Sequence, residues 1–599
     1  NLIDALREIR NSHPQHERIF ISGVPMIAAD MLSYVKSDLQ AFGSIVLILI
    51  IVLLYLFFRK LRWVVLPLIV CIATVIITIG LLGHLNTPVT VVSSNFIALL
   101  AIISISFSVH LVRYRELLEE QELSHNENVL ETMKSKFAPC LYTALTTLLA
   151  FGSMLASSIV PVVDFGWMMC LGIVIAFFVT YILFPSMLLL IGGSEPSATL
   201  GASLKLTGWF QELSIHRGRW ILLTACVLTA AGIFGATKLT FDNRFVDYFH
   251  EDTDIRRGME QIDKALGGTL PLDVYVRFEP YESFDDGFSM SGEEDFPERY
   301  WYTPEKVEVL NAIQDHLKKR PEIGKVLSLA SVEQIARNYN DGEALSGVEI
   351  AYLLGQLPPD VKSFLIDPYS DPASGWMRLN ARIAESQYKF SKTELVNDIN
   401  TYLTTTLKLE PKDVVITGMV VLFNDMLNRL ADSQISTLGY VIGATFFMFA
   451  LLLRSVKLAV IALLPNLLAA LLILAFMGYA GISLDMMTVT MAAICIGIGV
   501  DDAIHYLHRF KIELANANTT AEAVAESHQT IGKAMYFTTM TIMGGFSILA
   551  MSNFVPTVYF GLLTSLAMGL ALLANLVLLP SLLMVFCSPD GGGEKAEAG

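Results

Sequence analysis

Between Met486 and Phe510 the chain reads MMTVTMAAICIGIGVDDAIHYLHRF, an apolar stretch interrupted by two adjacent carboxylates, Asp501 and Asp502. The uninterrupted run from Met486 to Val500 is 15 residues long. A membrane-crossing helix needs roughly 20, so this helix continues past the acids and carries them into the membrane. An Asp at the centre of such a helix costs roughly 2.5–3.5 kcal/mol and is a functional-site hypothesis by default. Two like charges cannot both ionise cheaply in a low dielectric, so the pair points to proton handling. A carboxyl that gains a proton on one side and releases it on the other harvests about 2.3 kcal/mol per charge per 100 mV. The plainer alternative is a helix that ends near Val500, with both acids among cytoplasmic headgroups.

Working outward, the chain is membrane-like throughout. Of 599 residues, 53% are hydrophobic and 16% charged, and the mean hydropathy is +0.54. Those values describe a polytopic membrane protein. Eleven stretches qualify as spans: 42–58, 63–83, 89–112, 138–156, 162–191, 219–236, 436–453, 457–479, 486–508, 532–551 and 557–587. All six cysteines fall in or at the ends of these stretches and form no CxxC pair, so no disulfide framework, metal site or other cofactor is expected.

Charge sets the orientation. Arg59, Lys60 and Arg62 follow the first stretch, and Arg454 and Lys457 follow the seventh. Arg113, Arg115, Lys134 and Lys136 share one loop, Lys205, Arg217 and Arg219 a second, Arg509, Lys511 and Lys533 a third. The alternate loops 84–88, 157–161, 480–485 and 552–556 contain no Lys or Arg. The basic set is therefore cytoplasmic and the long segment 237–435 lies outside. Residues 237–430 hold 21 Lys and Arg against 33 Asp and Glu, −12 of the chain's −16. That acidity suits a soluble external domain and argues against nucleic acid as a partner.

Within the external segment, alternation and punctuation predict helices at 255–266, 304–320 and 392–407. They predict strands at 270–279, 324–329, 376–384 and 414–417, with an acidic aromatic loop at 281–303. This is an α+β domain, helices on an antiparallel sheet.

The chain also repeats itself at an offset of 395 residues. Gly23, Asp30, Met31 and Leu32 match Gly418, Asp425, Met426 and Leu427; Arg59 matches Arg454 and His110 matches His505. Thr143, Phe151 and Pro161 match Thr538, Phe546 and Pro556, and Pro185 and Ser186 match Pro580 and Ser581. Both copies face the same way, a parallel repeat about an axis along the membrane normal. The second copy opens with a span and about 200 external residues, so the repeat predicts about 180 residues and one more span before Asn1. The expected organisation is 1–38 as the remnant of a first external domain, then a five-span block at 39–192. A cytoplasmic linker at 193–218, a single span at 219–236 and the second external domain at 237–435 follow. A second five-span block at 436–587 and a disordered tail at 588–599 complete it.

GIGVDDAIHYLHRF in a five-span block, and the order of one span, a large external domain and five spans, resemble the resistance–nodulation–division (RND) superfamily. Within it the chain is similar to the bacterial lipid-exporter branch, the MMPL family, and its five-span blocks resemble sterol-sensing domains. The resemblance implies a polytopic α-helical membrane protein with α+β extracytoplasmic porter domains in two parallel RND-type repeats, the first span and most of the first porter domain missing. It also implies energisation by protons and a hydrophobic or amphipathic cargo. One departure stands out: Ser106 and Phe107 occupy the positions matched to Asp501 and Asp502, so the acids are confined to one half and lack a Lys partner.

Around the acids, His505 lies four residues after Asp501 and three after Asp502, on one helical face with both. It can pass a proton or remain a buried structural histidine, as His110 in the acid-free half would be. Thr538, Thr539 and Thr541 on the next span can bond a carboxylate, or bond back to their own helix; the family places a relay threonine in this span. Asn95, Ser104, Ser106 and His110 can face the acids across the repeat axis and line the relay, or simply pack. Gly497, Gly499, Gly544 and Gly545 read as permitting close helix approach. Asp30 and Asp425 stand on the exit helices outside the membrane, where a solvated acid is usually plain.

The expected function is a proton-motive-force-driven exporter of lipids or other hydrophobic molecules in the inner (plasma) membrane of a bacterial cell. Its partners are membrane lipids and protons, with a homo-oligomer or periplasmic partner allowed. The alternative is a non-transporting lipid sensor or scaffold. No P-loop, HExxH or nucleophile elbow is present, so an enzyme is not expected.

Overall fold

The computed structural model describes residues 2–12, 19–21, 23–118, 124–191, 201–241, 244–279, 303–339, 346, 349, 352, 356–517 and 519–587. Two compact units divide them: residues 1–30 with 244–428, and residues 31–243 with 429–599. The expected acidic loop lies outside the described residues except for Thr303, as do the tail and residues 193–200 of the expected linker.

The smaller unit is α+β. Strand β1 (Leu270–Arg277) is central, β2 (Ile323–Leu327) and the short β3 (Ser370–Asp371) pair with β4 (Trp376–Ile383), and β5 (Val414–Thr417) closes the order β2–β4–β1–β5, all antiparallel. Alternation explains the sheet. Leu272, Val274 and Val276 stand opposite Ala381, Leu379 and Met377 and are fully buried under helices Pro304–Lys318 and Lys392–Thr401. The other face carries Asp273, which accepts from Arg378 at 2.9 and 3.1 Å and from Asn380 at 2.7 Å. A buried ion pair, Lys392 with Glu385 at 2.8 Å, also holds the backbone N–H of Phe245 on Glu385. Helices Leu329–Tyr339 and Pro359–Leu365 are additions to the sequence reading, and the helix expected to reach Leu407 passes into a π turn at Tyr402–Thr406. In the expected remnant at 1–38, Leu2–Ser12 is helical, and residues 19–21 pair with no neighbouring strand among the described residues.

Among the described residues, eleven helices are long and apolar enough to cross a membrane, and all but the first turns of two of them belong to the larger unit: Pro25–Phe58, Leu61–His84, Ser93–Glu116, His125–Ala156, Val160–Leu190, Gly218–Ala236, Met419–Leu453, Val456–Ala480, Thr488–Asn516, Thr520–Met551 and Val555–Phe586. They are called the first to eleventh spans below. The first and seventh are single helices of which the exit helix forms the first turns. Part of the expected linker is itself helical, Gly201–His216.

The repeat is present in local detail. Arg59 and Arg454, at matched helix ends, both adopt φ +51°. Ser124 caps the amide of Glu127, and Thr519 caps that of Glu522. The third and ninth spans occupy the interior, and each packs on a span of the other repeat: the third on the tenth, the ninth on the fourth. The outer spans turn residues such as Ile48, Phe178, Ile182, Phe447 and Leu451 outward, where lipid would cover them.

Candidate functional site

The ninth span places Asp501 and Asp502 midway along a continuous helix, Thr488–Asn516, as the run-length argument requires; both are 6% exposed. Consecutive residues on a helix point about 100° apart, so the two carboxylates serve different neighbours. Asp501 turns towards the first repeat. Its Oδ1 accepts from Thr143 Oγ1 of the fourth span at 2.6 Å, and its Oδ2 accepts from Ser106 Oγ of the third span at 3.4 Å. Asp502 turns towards the tenth span and accepts from Thr539 Oγ1 at 3.0 Å.

Two histidines complete the cluster. Nε2 of His505 lies 3.2 Å from Asp501 Oδ1, and Nε2 of His110 lies 3.7 Å from Oδ2. Neither contact is a hydrogen bond, that of His110 being too long and that of His505 misaligned, and among the described residues both nitrogens are otherwise without a partner. The rings stack, centroids 3.9 Å apart and planes 17° from parallel.

The remaining candidates separate. Thr538 and Thr541 donate to carbonyls of their own helix, those of Ala534 and Met535 and that of Phe537, and so do not reach either acid. Ser104 donates to Thr74 of the second span at 3.3 Å. Asn95 is buried with both amide atoms unpartnered among the described residues, eleven positions before Ser106. Asp30 pairs with Arg7, and Asp425 is exposed.

The glycines act through space. A methyl group built on Gly497 would lie 2.1 Å from Cβ of Ala150, and one on Gly545 would lie 2.4 Å from Cδ1 of Ile102. These are one contact made twice, because 102 matches 497 and 150 matches 545. One on Gly499 would lie 2.8 Å from Oδ1 of Asn466 and 3.2 Å from Cβ of Ala571, whereas Gly544 meets only the ends of Leu49 and Leu53 at 3.1 and 3.3 Å.

Sequence reasoning missed three parts of the site. Thr143 was visible only as a matched position. Asn466 and Asn575 form a buried link, Asn575 Nδ2 donating to Asn466 Oδ1 at 3.2 Å and to the carbonyl of Gly499 at 3.1 Å, two residues before Asp501. Lys136, read from the sequence as a loop residue, lies inside the fourth-span helix, 7% exposed, its ammonium 4.6 Å from the Tyr114 ring and two turns before Thr143; among the described residues it makes no ion pair with either acid.

His110, Asp501 and His505 bring three ligand atoms within 4.8 Å of one another, the donor set of a metal site built from two histidines and a carboxylate. A ligating histidine normally donates its other ring N–H to a partner. Nδ1 of His505 has none among the described residues, and the rings lie stacked. The group therefore fits a metal ion poorly.

The profile of the MMPL family matches residues 2–220 and 377–591, both repeats. The chain belongs to the MMPL family. It is 21% identical to a membrane protein of Methanocaldococcus jannaschii over 61% of this chain and 90% of that one. It is 28% identical to the hopanoid transporter HpnN of Burkholderia multivorans over 29% of this chain, a match spanning 20% of the transporter's length. Its fold is similar to that of SecDF, a translocon-associated membrane protein of Thermus thermophilus, with TM-score 0.56 and 12% identity, over 92% of this chain and 62% of that one. This MMPL protein is thus a multi-pass membrane protein of the RND type.

Proposed function

We propose that this MMPL protein is an exporter of lipids or other hydrophobic, amphipathic molecules, driven by protons that pass through Asp501 and Asp502. It works in the inner (plasma) membrane with its α+β unit on the extracytoplasmic side. The observation that carries this reading is the buried carboxylate pair, whose partners come from both repeats. An ionised Asp501 can only accept, and Thr143 and Ser106 both donate to it. Once protonated it becomes a donor as well, and those hydroxyls must turn or give way. Because Thr143 and Ser106 belong to one repeat and the acid to the other, that exchange alters a bond between the repeats, and their relative movement would carry cargo. The cargo class is supported by the hopanoid transporter among the relatives.

The test is lipid extraction from vesicles containing the purified protein. A fluorescent polycyclic lipid is loaded, an acceptor is supplied outside and a pH gradient is imposed. Extraction that accelerates with the gradient, and loses that acceleration in Asp501→Asn/Asp502→Asn, supports proton-driven export. Extraction that ignores the gradient in both proteins contradicts it and favours the lipid-sensing alternative.

A further inference from the structure

The membrane unit contains a second buried carboxylate that the site above does not use. Asp38 lies on the first span, 8% exposed, and its Oδ2 accepts from Ser552 Oγ at 2.5 Å. Ser552 sits between the tenth and eleventh spans and accepts the backbone N–H of Phe554 at 3.0 Å. The other repeat holds the same arrangement. Ser157, between the fourth and fifth spans, accepts the N–H of Ile159 at 3.1 Å, and Ser433 of the seventh span donates to it at 2.7 Å. Positions 38 and 433, 157 and 552, and 159 and 554 are matched pairs of the 395-residue repeat.

The protein therefore contains its own control. A serine satisfies this junction in one repeat, so packing does not require an acid there. In the other repeat a carboxylate replaces it, with the burial cost that a charge in such a place incurs. Asp38 also faces space. With Tyr34, Ser94 and Thr557 it lines a small cavity of about 10 Å³, at the lower limit of what one water needs. Tyr34 is the only other titratable residue lining the cavity, and no Lys, Arg or His among the described residues pairs with Asp38. Asn95, whose buried amide has no partner among the described residues, adjoins Ser94. From Ser94 to Ser106 the third span advances twelve residues, about 18 Å, so Asp38 and Asp501 are separate stations. Asp38 lies at the end of the bundle where loops 157–161 and 552–556 carry no Lys or Arg.

We propose that Asp38 is a second proton-carrying carboxylate of this protein, exchanging protons with the solution at the end of the bundle where loops 157–161 and 552–556 lie, with the exposed Lys36 two residues before it on the same helix. A proton passes from hydronium to the Asp38 carboxylate, leaving water, and departs by the reverse step. The inference rests on the reading of Asp501 and Asp502 as a proton relay.

The test uses vesicles with pH varied independently on each side. Asp38→Ser reproduces the residue of the matched site and should fold with an unchanged thermal midpoint. Its proton flux should fall at least about fivefold and lose its dependence on pH on the Asp38 side, with the dependence on the opposite side intact. Asp38→Asn should behave likewise and Asp38→Glu should restore most of the flux. Wild-type flux and an unchanged two-sided profile in Asp38→Ser and Asp38→Asn would overturn the proposal. Flux lost in Asp38→Glu as well, with a lowered thermal midpoint in all three variants, would assign Asp38 to packing and also overturn it. If the wild type carries no proton flux, the relay reading fails and this proposal with it.

Discussion

His110 and His505 stack face to face 3.9 Å apart although they stand at matched positions 395 residues apart in the chain. Ser106 and Asp501, another matched pair, are themselves in contact. Residues related by the repeat can touch only where its axis passes between them. The acid site is therefore built on that axis, where the two repeats meet. Asymmetry enters through single residues: Ser106 against Asp501, Phe107 against Asp502, Ala144 against Thr539.

Hydroxyls that reach the acids should matter and those that do not should not. Thr143→Val and Thr539→Val each remove a hydrogen bond to a carboxyl, worth about 1.5–3 kcal/mol when the acceptor is charged. Initial proton flux into vesicles should drop about tenfold in each. Thr538→Val and Thr541→Val should stay within about twofold of wild type. The reverse ranking would contradict the geometry.

Close approach of the ninth and fourth spans predicts a compensating pair. Gly497→Ala overpacks against Ala150 and should cost about 1–3 kcal/mol in denaturant unfolding in detergent. Adding Ala150→Gly should recover most of it. Gly544→Ala, which meets only the ends of two leucines, should shift stability by less than about 0.5 kcal/mol.

In the α+β unit, burial pushes the Glu385 carboxyl up, while the Lys392 ammonium and the Phe245 amide pull it down. Lys392→Met strands that carboxyl and should cost about 3–5 kcal/mol, read by thermal unfolding. Lys392→Met/Glu385→Leu should regain part of the loss.

Asp485, in the loop before the ninth span, accepts the amides of Met487 and Thr488 at 2.8 Å. Burial pushes its carboxyl up to about 6 against the pull of those amides. A carboxyl raised on folding binds its proton more tightly in the native state, so its contribution to stability falls as pH rises from about 4 to about 6. Asp485→Asn keeps an acceptor without the charge. Its thermal midpoint should gain on the wild type between pH 4 and pH 7, and a constant difference across that range would count against this assignment.

Much of this was legible in the chain because membranes impose length and polarity on a helix. Run length alone put Asp501 and Asp502 inside a span, and the 395-residue offset carried the architecture. The facing of single side chains was not legible. Thr538, Thr539 and Thr541 share one helix, and only the packing of the tenth span selects Thr539. Thr143 carries no signal of its own until the fourth span is known to lie against the ninth. Asp38 stood at the end of the expected external remnant 1–38, before the apolar run at 42–58, yet the helix continues unbroken from Val24 and Ser552 bonds to it from the loop between the tenth and eleventh spans.

Proton flux in vesicles, with an internal pH dye and an imposed gradient, tests the central claim most directly when wild type is compared with Asp501→Asn/Asp502→Asn. The account predicts a wild-type flux that collapses to the level of empty vesicles in the double variant, with both proteins equally folded. Equal flux in the two, or none in the wild type with lipid cargo present, would contradict it.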